Sequence, residues 1–67
     1  MAVMSFEVCR RARGAQWIVR LDKAVYGAYL DKEQALLDAV DAARDALLCG
    51  REAQVWIREH TSTARIL

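Results

Sequence analysis

The chain has 67 residues, ten Lys+Arg against nine Asp+Glu, and a formal net charge of +1, which leaves room for one small domain spanning residues 1–67. With 55% hydrophobic and 28% charged residues it is too apolar for intrinsic disorder, yet folding at this length hides only about 60% of the unfolded chain's surface, which argues against a multi-step enzyme cleft. No proline and only three glycines leave no low-complexity or linker stretch.

Glu7, Arg10 and Arg11 interrupt the apolar residues of the N-terminal segment before a signal-peptide core could form, and no apolar run approaches the roughly 18 residues of a membrane span. A cytoplasmic protein with no membrane contact is expected. Residues 5–12 alternate, with Phe6 and Val8 on one parity and Glu7, Cys9 and Arg11 on the other, the period of a half-buried strand. Arg13-Gly14-Ala15-Gln16 supplies a turn, and Trp17, Val19 and Leu21 against Ile18 and Arg20 repeat the alternation, so a hairpin is expected. Past Asp22-Lys23, residues 24–30 suit a third strand in which Tyr26, Ala28 and Leu30 share a face and Gly27 permits close approach.

Asp31 followed three positions later by Gln34 is a capping box that predicts a helix from Lys32. On a 100° wheel Leu36, Val40, Ala43 and Leu47 form one arc with Ala35, Ala39, Ala42 and Ala46 beside it, a face suited to lie on a sheet. Gly50 is placed to end the helix after Leu48 in a left-handed conformation. Alternation then resumes through Val55, Ile57 and Glu59 against Gln54, Trp56 and Arg58, and Thr61-Ser62-Thr63 reads as a turn before residues 64–67. The expected fold is α+β: a three- to four-stranded antiparallel sheet in the order β-β-β-α-β, with room for a short fifth strand, covered on one face by a single helix over 32–48.

The Trp17-x-Val19 strand, the Ala-rich helix behind a capping residue and the Val55-x-Ile57 strand leading to a terminal hairpin resemble the small bacterial domains grouped as domain of unknown function 2188. The resemblance covers about four fifths of the chain. It implies a similar small α+β fold and no activity or catalytic residues. Thr61-Ser62-Thr63 stands where that group typically has a Gly-containing turn, often Asp-Gly.

Little in the sequence points to catalysis. His60 is the single histidine, and its neighbour Glu59 would point to the opposite face of a strand, so a solvent-exposed turn residue is expected. Cys9 and Cys49 form no Cys-x-x-Cys pair and read as free thiols; neither is expected at a helix N-terminus, where thiolates are stabilised. Asp38, Asp41 and Asp45 share one helix face but lack the backbone oxygens of a hard-cation site, and Gly14, Gly27 and Gly50 are too far apart for a phosphate loop. The reading is a non-enzyme with no metal, cofactor or small-molecule substrate evident.

Charge is unevenly spread. Residues 1–30 carry five basic and two acidic groups, residues 31–48 two and five, and residues 49–67 three and two, so the strands are basic and the helix acidic. If Phe6, Val8, Trp17, Val19, Val55 and Ile57 face the helix, pleating sends Cys9, Arg11, Ile18, Arg20, Trp56 and Arg58 to the other face. Arg11, Ile18, Arg20, Trp56 and Arg58 are the candidate partner-binding residues, because Trp and Arg are enriched at interfaces and a marginal domain gains stability by pairing. A protein partner or a second copy is favoured, and the alternative is single-stranded nucleic acid stacked on Trp56 with phosphates on the arginines.

Overall fold

A computed structural model describes residues 3–10, 16–59 and 61–67. It has five strands and one helix: β1 (Met4–Arg10), β2 (Trp17–Leu21), β3 (Ala24–Tyr29), α1 (Lys32–Leu48), β4 (Ala53–Glu59) and β5 (Ser62–Arg65). The β-β-β-α-β order holds, and the fifth strand is present. The first turn lies outside the described residues apart from Gln16, as do Arg11, Ala12 and His60.

The sheet order is β3-β2-β1-β4-β5. It is mixed, correcting the expected all-antiparallel arrangement: β1 and β4 are parallel in the centre, with Phe6 opposite Val55 and Val8 opposite Ile57. Chain direction explains this. β1 and β2 are antiparallel, as are β2 and β3, so β3 runs with β1, the helix carries the chain back, and β4 therefore sets out in the direction of β1. The reversal between β2 and β3 is made by Asp22 and Lys23, with Asp22 at φ 57, a region Asp tolerates better than most residues.

The helix begins and ends where local chemistry places it. The Asp31 carboxylate accepts from the Gln34 backbone N–H at 2.8 Å. At the other end the Gly50 N–H donates to Leu47 O and the Arg51 N–H to Ala46 O, with Gly50 at φ 82, a Schellman ending that satisfies the last carbonyls.

Phe6, Val8, Val19 and Val55 are fully buried beneath the helix, as strand parity predicts, with Ile57 beside them and Trp17 half-buried against the cluster. The helix lays its expected apolar face on the sheet, with the alanines deepest. Ala35, Ala39, Ala43 and Ala46 are its buried residues, Leu36 and Val40 pack at the flank, and Leu47 is 45% exposed. Small side chains let the backbone settle close to the sheet, and the larger ones fill the space beside that contact.

Two further expectations are corrected. Val19 pairs with Gly27 but Arg20 with Val25, so Tyr26 is an extra residue in a β-bulge. The bulge breaks parity: Tyr26 turns inward with its ring edge on Phe6, centroids 5.6 Å apart, Ala28 lies opposite Ile18 on the outer face, and Leu30 falls beyond the strand. Ser62 and Thr63, read as turn residues, belong to β5 and pair with Glu59 and Arg58.

Candidate interaction surface

Pleating gives each strand two addresses, and the cross-strand register sorts the outward ones into rows. One row runs Ala28, Ile18, Cys9, Arg58, Thr63, and the next Val25, Arg20, Glu7, Trp56, Arg65. Ile18, Arg20, Trp56 and Arg58 thus share the helix-free face, as the sequence implies. Arg11, the fifth candidate, lies outside the described residues.

These side chains are less available than their types suggest. Ile18 is only 6% exposed, which corrects its expected role as an open apolar contact. It lies in a shallow groove of about 430 Å³ that Cys9, Val25, Glu7, Arg10, Arg20 and Arg58 also line, where long arginine stems can shield an aliphatic floor. Trp56 is half-buried, and its indole Nε1 donates to Gln54 Oε1 at 3.0 Å. Arg58 Nη2 and Glu7 Oε2 form an ion pair at 3.0 Å. Arg20 is exposed and has no ion pair among the described residues.

The groove is not built for thiol chemistry. Burial pushes the Cys9 thiol above its ordinary range, and the Glu7 carboxylate adds to the rise; Arg20 and Arg58 oppose it without reversing it. A raised pKa lowers the thiolate fraction near neutral pH. Cys49 is exposed. Among the described residues no three His, Cys, Asp or Glu side chains are grouped to hold a metal. Asp38 instead accepts from Gln34 Nε2 at 3.5 Å, and its carboxylate adds to the rise that burial produces in the Tyr29 pKa.

Glu7, Val25 and Arg10 were not singled out by sequence. The signal for Glu7 was present, since it shares a parity with Cys9, but its central place follows only from its register with both Arg20 and Trp56. Val25 reaches the groove because of the bulge. No described helix is long and apolar enough to cross a membrane. No family model, curated protein or solved structure matches the chain.

Proposed function

We propose that the protein is a non-catalytic binding module that takes a polypeptide partner on the outer face of its sheet. One observation carries this reading: the arginine-lined groove over Ile18, Cys9 and Val25, with charges of both signs around an apolar floor in which Val25 is exposed and Ile18 covered. Such a mixture suits a protein surface, where arginine anchors and apolar contact act together. Glu7 counts against the nucleic-acid alternative, because it sets a carboxylate in the middle of the face, cross-strand from Arg20 and Trp56, where a phosphate chain would be repelled. The resemblance to domain of unknown function 2188 brings no activity and adds none here.

The test is affinity capture from the native cell with the parent, Arg20→Glu and Leu37→Ser in parallel. The reading expects a polypeptide that survives nuclease treatment, is lost with Arg20→Glu and is retained with Leu37→Ser on the opposite side of the molecule. Capture that nuclease abolishes, or that Arg20→Glu leaves intact, contradicts it.

A further inference from the structure

We infer that β3 is a self-pairing edge, through which two copies of the chain join their sheets antiparallel about a twofold axis between Tyr26 and Gly27. This seam adjoins the groove, with which it shares Val25, but it uses the strand's backbone edge and does not depend on the function proposed for the groove.

The sheet ends on one side at β3 and on the other at β5, and an edge strand offers a row of backbone donors and acceptors to any chain that can reach it. The two edges differ in composition. β5 is four residues long and contains Arg65. β3 reads Ala-Val-Tyr-Gly-Ala-Tyr over six residues, with neither charge nor proline to deter pairing, and Val25 and Tyr26 are 56% and 51% exposed.

A second copy is the occupant because the strand is complementary to itself. Directly opposed residues of an antiparallel pair must lie on one face. Ala24 pairs with Leu21, Gly27 with Val19 and Tyr29 with Trp17, all on the helix side, where Tyr26 also turns; Val25 and Ala28 are on the outer side. The sequence of faces from Ala24 to Tyr29 is therefore in, out, in, in, out, in, a palindrome. An axis between Tyr26 and Gly27 matches every position: Ala24 meets the partner's Tyr29, Val25 the partner's Ala28, and Tyr26 the partner's Gly27. A regular six-residue strand would not have this property about that axis, so the bulge that often blunts an edge here makes it self-matching.

The seam itself holds no charged residue; beyond it the register would bring Asp22 of one copy towards Asp31 of the other, with Lys23 and Lys32 beside them. A seam of six residues is roughly 20 Å long and falls short of the standard protein interface of about 1,600 Å². A weak dimer in the micromolar range or above is expected.

Sedimentation equilibrium of the full chain, from micromolar concentrations to about 1 mM, reads the association directly. The expected result is a monomer–dimer equilibrium that Val25→Lys combined with Ala28→Lys weakens at least tenfold, since like charges then stand opposite each other twice, and that Trp56→Ser leaves in place. As a check that needs no substitution, amide hydrogen exchange at Ala24–Tyr29 slows as concentration rises. A parent that stays monomeric, a dimer unaffected by the β3 substitutions, or β3 exchange independent of concentration overturns the inference.

Discussion

Gly27→Ala tests how β3 is held to the rest of the domain. A Cβ at Gly27 would stand 2.5 Å from Tyr29 Oη, 2.9 Å from Cζ and 3.0 Å from Cε1, well inside the ordinary separation of about 3.5 Å. The ring cannot yield freely, because Tyr29 packs against the core, where burial raises its pKa, and the Asp38 carboxylate on the helix lies close enough to its hydroxyl to raise it further. Displacing it costs about 1–3 kcal/mol in overpacking and lost contact. Reduced freedom of the unfolded chain returns about 0.5–1 kcal/mol. The net expectation is a loss of up to about 2.5 kcal/mol, or a fall of as much as about 10–20 °C in Tm for a domain of this size. Thermal unfolding followed by circular dichroism measures it, with the same substitution repeated in a Tyr29→Leu background. There the phenol is gone, and Gly27→Ala should be neutral or stabilising. Stabilisation in the parent, or an equal penalty in both backgrounds, refutes the packing argument.

Three other outcomes follow from local chemistry. Asp31→Ala removes the acceptor of the 2.8 Å helix cap and should cost about 1 kcal/mol in urea unfolding. Cys9, with its pKa raised by burial and by Glu7, should react with iodoacetamide more slowly than Cys49, and Glu7→Gln should accelerate it. The raised pKa also favours the folded state below the unfolded thiol's pKa, about 8.5, and that contribution is lost as pH rises through the folded value; stability should therefore decline on the alkaline side, and less so in Cys9→Ser.

The features legible in the sequence are those fixed by near neighbours. Asp31, Gln34 and Gly50 bound the helix because capping acts over three or four residues. Parity placed Phe6, Val8, Val19, Val55 and Ile57 in the core and Ile18, Arg20, Trp56 and Arg58 opposite. The misses lie where distant strands decide. Alternation records which way a side chain points but not the direction of the neighbouring strand, so the parallel β1–β4 pair left no local mark. Nothing in Val25-Tyr26-Gly27 announced a bulge. On the helix the wheel marked the whole apolar face, and the one departure is Leu47, which lies at its margin, 45% exposed. Ile18 shows the same limit: its side of the sheet was readable, but its burial depends on arginines from other strands.

The most direct test of the proposed function asks which side of the sheet a captured partner covers. With the 15N-labelled chain and that partner, the account predicts that signals of Ile18, Arg20, Arg58 and the Trp56 indole shift or broaden while those of α1 stay in place. Changes centred on Leu37 and Leu48, which are 56% and 86% exposed on the helix, with the sheet signals unmoved, would contradict it.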